Sequence, residues 1–148
     1  MINDADAWRE FVVYALSIPQ PKRFLLSPAV DAFIVAEAAS LAIDVRDFRV
    51  RVDAHHLRHV LNNHSKWRDK GSRGQINLWE WHLNQLPDIL LKPHRVELAP
   101  SKGRSTQPSL KFCKEFYDEG TAHANLLPAV NGQHKELRFQ TLYSRRPG

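Results

Sequence analysis

The stretch DFRVRVDAHHLRHVLNNH, residues 47–64, passes from a two-residue hydrophobic period to a helical one within a single segment. Its first part is typical of a half-buried strand that shows arginines to solvent or ligand, because apolar and basic residues alternate: Phe48, Val50 and Val52 against Arg49 and Arg51. Asp53 then suits the N-cap of a helix that runs to about Asn62 or Asn63. A strand joined directly to a helix indicates mixed α and β structure.

The predicted helix has one apolar face, which we expect to pack on a sheet: Ala54, Leu57, Val60 and Leu61. At 100° per residue, His56 and His59 fall together on one flank, whereas His55 and Arg58 fall on the other. The two asparagines are predicted to end the helix and to free His64 to turn.

Before this stretch, residues 1–45 are predicted to form a helical extension. A first helix begins at a cap on Asp4 or Asp6, and a second is expected from Pro28 to Leu41, with the proline in its first turn. A further helix carries Leu83, Leu86 and Leu90 at helical spacing. Four strands separated by turn-prone residues follow it: HRVELA, SLKFCKEF, TAHANLLPAV and ELRFQTLY. Helices first and an antiparallel meander last predict an α+β domain, with the N-terminal helices packed on a C-terminal sheet.

Composition favours an ordinary soluble protein. The 148 residues suffice for one hydrophobic core, and no stretch approaches the length of a membrane span. We therefore expect a cytoplasmic site of action, no membrane partner and no cofactor. The single cysteine, Cys113, excludes an internal disulfide framework and is interpreted as a small core residue.

The net charge of +5 is unevenly distributed. The first 45 residues carry a net of −3, residues 46–75 a net of +5 and residues 76–148 a net of +3. The histidine segment thus lies in the most basic part of the chain, which is the pattern of a polyanion-binding surface or of a solvated basic face.

A zinc site is one reading of the histidines. His55 and His59 have the spacing of the zinc-protease helix, but His56 occupies the position where that motif needs its glutamate base. A site built from His56, His59 and His64 stays open as an alternative, that of a zinc hydrolase.

Acid–base catalysis is the reading that we favour. The unperturbed pKa of histidine, about 6.5, lets an imidazole act as base or acid near neutrality. In phosphodiester cleavage, one imidazole takes the proton of a ribose 2′-OH, a second protonates the leaving oxygen, and arginines stabilise the charge of the phosphorane.

The order of three segments resembles a known family of nucleases. HHLRHVLNNH, then RGQINLWEWHLNQLPDILLKPHRVEL, then a meander ending LRFQTLY are similar to phage- and toxin-associated domains of the barnase–EndoU–colicin–RelE-like ribonuclease superfamily. The resemblance covers residues 47–146. It implies helices packed on a curved antiparallel sheet, a nuclease domain over residues 46–148 and metal-independent cleavage of RNA, with tRNA as one candidate substrate.

Residue by residue, the resemblance implies catalytic roles for His56, His59, His64, Thr141 and Tyr143. Arg73 and Gln75 match its RGQ loop. The chain departs from the family pattern in the residues after the last strand, where Ser144 and Arg145 stand in place of a lysine. A toxin of this kind is expected to have a cognate immunity protein.

Further RNA contacts are predicted from charge and aromaticity. They are made by Arg49, Arg51, Arg58, Trp67 and Arg145, with Trp67 as a platform for a base. Two other functions stay open: a nucleic-acid-binding module that never cleaves, and an interaction domain of a phage structural component.

Overall fold

The computed structural model describes residues 1–64, 75–76, 80–99, 108–116, 120–131 and 134–145. Within these ranges lie four helices, α1 (Ala5–Ser17), α2 (Ala32–Ser40), α3 (Ala54–His64) and α4 (Glu80–Leu91). Seven strands complete the fold: β1 (Phe24–Ala29), β2 (Arg49–Asp53), β3 (Gln75–Ile76), β4 (Arg95–Ala99), β5 (Ser109–Phe116), β6 (Gly120–Asn131) and β7 (His134–Arg145). None of the described helices is long and apolar enough to cross a membrane.

All seven strands belong to one sheet, in the order β1-β2-β7-β6-β5-β4, with β3 added beside β7. The last four strands form the predicted antiparallel meander, and β2 joins it by pairing in parallel with β7. Although α2 follows β1 at one edge, it contacts β4 at the other edge, which requires the sheet to curve. The predicted α+β class, with helices packed on a curved and mostly antiparallel sheet, is confirmed.

The N-terminal region contains a strand that the sequence did not predict. The helix expected from Pro28 to Leu41 is present as α2, but its predicted start is wrong, because residues 24–29 pair with β2 and the helix begins only after Asp31. Pro28 is tolerated there because it lies on an edge strand, at a register shift where no ladder N–H is needed. The Ser27 hydroxyl accepts a hydrogen bond from the Val50 amide at 2.8 Å and so maintains the link to β2 across the irregularity.

Helix α3 is longer than predicted. It continues through the two asparagines to His64, so the expectation that His64 turns away after an earlier helix end is wrong for the backbone. Asparagine costs at most about 0.7 kcal/mol relative to alanine inside a helix, an amount that the packed apolar face offsets.

A single hydrophobic core joins the first 45 residues to the sheet. Trp8, Phe11 and Val12 of α1 lie in the same cluster as Leu57 of α3 and Phe139 of β7. The Trp8 indole N–H also donates to the Leu83 carbonyl of α4 at 2.9 Å. The division into an extension over 1–45 and a nuclease domain over 46–148 stays a prediction, but the first of these parts is not wholly helical.

The two faces of the meander differ in chemistry. One face carries apolar residues that belong to the core beneath the helices, namely Leu110, Phe112, Ala122, Ala124 and Leu142. The opposite face, called the polar face below, carries the residues that alternate with them. It includes Glu97, Lys111, Cys113, His123, Asn125, Thr141, Tyr143 and Arg145. A register shift at Gln140 inserts one residue into β7, and the alternation of faces resumes at Thr141.

Candidate active site

Helix α3 presents its histidines because its other side is fixed in the core. Ala54, Leu57 and Val60 are fully buried, as predicted, and they hold the helix against the sheet. His55 and His59 are exposed, whereas His56 lies at the margin of the apolar face and is half-buried. The helix starts directly after β2, so the first turn that bears the histidines is anchored to the sheet.

The three imidazoles form one contact group. The ring centroids of His55 and His56 lie 5.1 Å apart, and those of His55 and His59 lie 6.3 Å apart in a stacked arrangement. His55 was assigned no role from the sequence, and its i, i+4 spacing from His59 was the signal for this contact.

His56 has the surroundings of a proton acceptor. Burial lowers its pKa below the usual value, the charges of His55 and His59 act in the same direction, and nearby Asp53 opposes them. Its Nδ1 is buried and has no hydrogen-bond partner among the described residues. The imidazole is therefore uncharged at neutral pH, with a nitrogen lone pair available for a proton.

Helix α3 contacts β7, the strand that carries the predicted hydroxyl pair. β7 pairs with β2 at residues 136–138 and with β3 at residues 144–145. Helix α3 lies between β2 and β3 in the chain and contacts β7. Thr141 and Tyr143 fall between the two paired parts of β7. As predicted from alternation, they share one face while Leu142, on the other, is fully buried. Thr141 and Tyr143 thus lie on the face opposite the helices, and a cleft that they share with His56 and His59 stays a prediction.

Tyr143 is part of a polar row that crosses three neighbouring strands. The register places it beside His123 of β6, which in turn lies beside Cys113 of β5. The Tyr143 and His123 rings stack with centroids 4.9 Å apart and planes 16° apart. The Cys113 sulfur lies 3.3 Å from His123 Nδ1 and 3.8 Å from a Glu97 carboxylate oxygen.

Cys113 is a small, buried residue, as interpreted from the sequence, and this row shows that its neighbours are polar. The thiol is fully buried, but its partners are the polar Glu97 and His123, and it lies outside the hydrophobic cluster. Burial raises the pKa of Cys113 to about 11, so the sulfur stays protonated. Burial likewise lowers the pKa of His123 to about 4, and Lys111 and Arg145 add to that effect, so its imidazole is neutral at pH 7.

The predicted RNA-binding arginines differ in how far their charge is compensated. Arg51 forms ion pairs with Asp53 and Glu136 at 3.1 and 3.6 Å, and its guanidinium lies over the Phe24 ring. Arg58 donates to the Leu16 carbonyl at 3.0 Å and so ties α3 to α1. Arg49 is exposed and has no carboxylate partner in the described part of the chain. RNA contact by any of them stays a prediction.

Arg145 is exposed at the end of the polar face. Its guanidinium carbon lies 5.5 Å from the centre of the Tyr143 ring, a cation–π contact. Its neighbour across the ladder in β3 is Gln75, whose backbone pairs with it.

Four of the site residues predicted from the sequence lie wholly or partly outside the described part of the structure. Trp67 and Arg73 lie outside the described residues, and for His64 and Gln75 the description covers the backbone alone. Where side chains are described, no group of three or more His, Cys, Asp or Glu residues is arranged to hold a metal ion. The alternative zinc site, which needs His64, is not tested by that finding.

A sheet with helices on one face, a polar opposite face and a histidine helix at its margin is the architecture expected of the nuclease class. The family described as phage-Barnase-EndoU-ColicinE5/D-RelE like nuclease3 matches residues 30–147. The chain therefore belongs to this family of nucleases. The match begins in the loop before α2, so it extends further toward the N-terminus than the resemblance over 47–146. No curated protein and no solved structure matches the chain.

Proposed function

We propose that this nuclease is a metal-independent endoribonuclease that cleaves RNA by attack of the ribose 2′-OH, with His56 as the general base and His59 as the general acid. The observation that carries the proposal is the position and pKa of His56. It is a neutral, half-buried imidazole with a nitrogen that has no partner among the described residues, and its helix contacts β7, the strand of Thr141 and Tyr143. A base for cleavage at neutral pH needs this protonation state.

The proposed reaction conserves every proton. His56 accepts the proton of the 2′-OH while O2′ forms a bond to phosphorus. The bond between phosphorus and O5′ breaks, and protonated His59 gives its proton to O5′. The products are a 2′,3′-cyclic phosphate and a 5′-OH end, and the two imidazoles have exchanged protonation states.

Thr141 and Tyr143 are proposed to orient the scissile phosphate. Both residues belong to β7, the strand that α3 contacts. Hydroxyls of this kind stay neutral near pH 7, so they can hydrogen-bond the phosphorane oxygens without titrating. Arginine side chains, with Arg49 and Arg145 as the two exposed candidates without a described acidic partner, supply positive charge along the RNA.

The biological setting that we propose is a toxin or a phage-associated nuclease that acts in the cytoplasm of its target cell. The phage and colicin terms in the family description support it. A cognate immunity protein is the expected partner, and the net charge of +5 favours an acidic surface on it.

The proposal is tested by incubating the purified protein with single-stranded RNA in excess EDTA and by identifying the new ends. Cleavage that leaves 2′,3′-cyclic phosphate is expected. Intact RNA that stays bound would instead support the binding module, whereas cleavage abolished by EDTA and restored by zinc would support the zinc hydrolase.

A further inference from the structure

Among the described residues of the polar face, one cation is not neutralised by a neighbouring acid. Arg95 pairs with Glu97 and Glu115 at 3.3 and 2.9 Å, and Lys111 pairs with Glu97 at 3.2 Å. Arg145 shares this face but has no carboxylate partner among the described residues. An exposed, uncompensated guanidinium is therefore the strongest attraction for an anion on this part of the sheet.

Beside Arg145 lies the flat ring of Tyr143, which the His123 ring holds in place. Tyr143 is partly exposed, and His123, only 8% exposed, stacks against it almost in parallel. The Cys113 thiol contacts the His123 ring from the next strand. Because His123 is held on two sides, it fixes the plane of Tyr143, which loses little conformational freedom when a ligand settles on it.

The neighbouring row contributes an unsatisfied polar atom. Asn125 lies between Lys111 of β5 and Thr141 of β7, and its Oδ1 is buried without a hydrogen-bond partner in the described structure. A buried carbonyl oxygen that accepts no hydrogen bond is costly, and a donor group of a ligand would relieve that cost.

We propose that Arg145, Tyr143 and Asn125 form a binding subsite for one nucleotide of single-stranded RNA, and that His123 is the positioning residue that holds Tyr143 in place. Arg145 receives the phosphate, the Tyr143 ring stacks with the base, and the Asn125 amide hydrogen-bonds an N–H or O–H of the nucleotide. This subsite rests on the proposed function, because it would seat a nucleotide next to the one that is cleaved.

The neutrality of His123 is part of the arrangement. Burial is the main reason that the pKa of His123 is low, and the charges of Lys111, Arg145 and Arg95 add to it. Among the described residues, Glu97 acts in the opposite direction. A bound phosphate would offset those positive charges and raise the pKa of His123 toward its usual value.

Binding without cleavage provides the test. The probe is a fluorescent single-stranded oligoribonucleotide with a 2′-O-methyl group at every position, which has no free 2′-OH to attack. Its Kd is measured by anisotropy over a range of salt concentrations. Arg145→Gln and Tyr143→Leu are each expected to weaken binding roughly tenfold, since one base stack or phosphate contact is worth that much. The salt slope of Arg145→Gln should fall by about 0.7.

A matched control removes an equal charge from the helix layer. Arg9 is exposed on α1 and pairs with Asp6, so Arg9→Gln should leave both Kd and salt slope unchanged. If Arg9→Gln and Arg145→Gln weaken binding equally, the effect is one of overall charge and the subsite is wrong.

Two substitutions of His123 separate the effect of ring stacking from that of hydrogen bonding by its ring nitrogens. His123→Phe keeps a flat ring behind Tyr143 and should bind RNA nearly as the natural chain does, whereas His123→Ala should weaken binding about as much as Tyr143→Leu. Equal loss in both variants would overturn the positioning role. Because His123→Ala can also unfold the sheet, thermal melting accompanies each measurement, and the exposed Arg145 variant keeps the subsite falsifiable.

The subsite and the proposed function fail separately. If the protein cleaves RNA and the Arg145 and His123 variants bind RNA as the natural chain does, the ribonuclease stands and the subsite is wrong. If the methylated RNA binds through Arg145 and natural RNA is never cleaved, the subsite stands and the ribonuclease is wrong.

Discussion

His56 and His123 are both neutral imidazoles, but they lie in different layers of the molecule. His56 belongs to a helix, contacts other histidines and has an unpartnered nitrogen at the margin of the sheet. His123 belongs to a central strand and lies between a thiol and a tyrosine ring. The comparison teaches that a lowered pKa alone does not assign a role. The half-buried imidazole with an unpartnered nitrogen is suited to proton transfer, and the enclosed one is suited to holding its neighbours.

The largest expected effect separates these two roles. His56→Ala should lower the cleavage rate ~100- to 10,000-fold, as loss of a general base typically does, while the melting temperature stays near that of the natural chain. His134 is exposed at the opposite end of β7, so His134→Ala is the matched control and should cleave normally. Normal activity in His56→Ala would remove that residue from the mechanism.

The second effect is on stability and concerns His123. Its pKa is about 4 in the folded protein and about 6.5 when unfolded. The unfolded chain therefore binds more protons between these values. The free energy of unfolding should fall by up to roughly 3 kcal/mol as pH drops from 6.5 to 4, and this contribution should be fully present above pH 6.5.

Urea unfolding measured across that pH range checks the sign. His123→Phe has no imidazole at this position, so its stability should depend less steeply on pH than that of the natural chain. Parallel curves for the two proteins would contradict the depressed pKa of His123. The lowered pKa of His56 contributes in the same direction in both proteins and so cancels from the comparison.

A smaller effect on the cleavage rate is expected from the hydroxyls of Thr141 and Tyr143 on β7. Tyr143→Phe and Thr141→Val should each slow cleavage roughly tenfold, because a hydrogen bond to a charged group contributes about 1.5–3 kcal/mol. The pH optimum should not move, since the proposed proton transfers are made by His56 and His59. Rates measured from pH 5 to pH 9 check this, and a displaced optimum would give one of the hydroxyls a proton-transfer role.

The smallest expected effect concerns the arginines of β2. Arg49→Gln should reduce the salt slope of RNA binding by about 0.7, the contribution of one phosphate contact to a single strand. Arg51→Gln should change the slope less, because Asp53 and Glu136 already compensate that charge. Equal changes in both variants would show that the ion pairs of Arg51 open when RNA binds.

Much of the fold was predictable from the sequence because its local signals agree with its packing. The alternation in SLKFCKEF gave the bounds of β5, and the cap at Asp4 gave the start of α1. β1 was not predictable in this way, because Pro28 resembles a helix start and becomes acceptable in a strand only beside an irregular edge pairing with β2.

The candidate site was predictable to a lesser extent. Four histidines in twelve residues identify α3, and their helical spacing gives the exposed flank. The contact between His123 and Tyr143 depends on the register of β6 with β7, and the contact between Cys113 and His123 depends on the register of β5 with β6. Local sequence does not encode these registers. The alternation that places Lys111, Cys113 and Glu115 on one face was the only available signal.

Removal of a single 2′-oxygen from the RNA tests directly whether the ribose 2′-OH is the attacking group. An RNA oligonucleotide is cleaved in EDTA and the position of the cut is mapped. The same oligonucleotide is then made with a 2′-deoxyribose immediately 5′ of the scissile phosphate. We expect the all-ribose strand to give a 2′,3′-cyclic phosphate and a 5′-OH end, and the substituted strand to stay intact at that position. Cleavage of the substituted strand at the same position and rate would contradict the proposed attack by the 2′-OH.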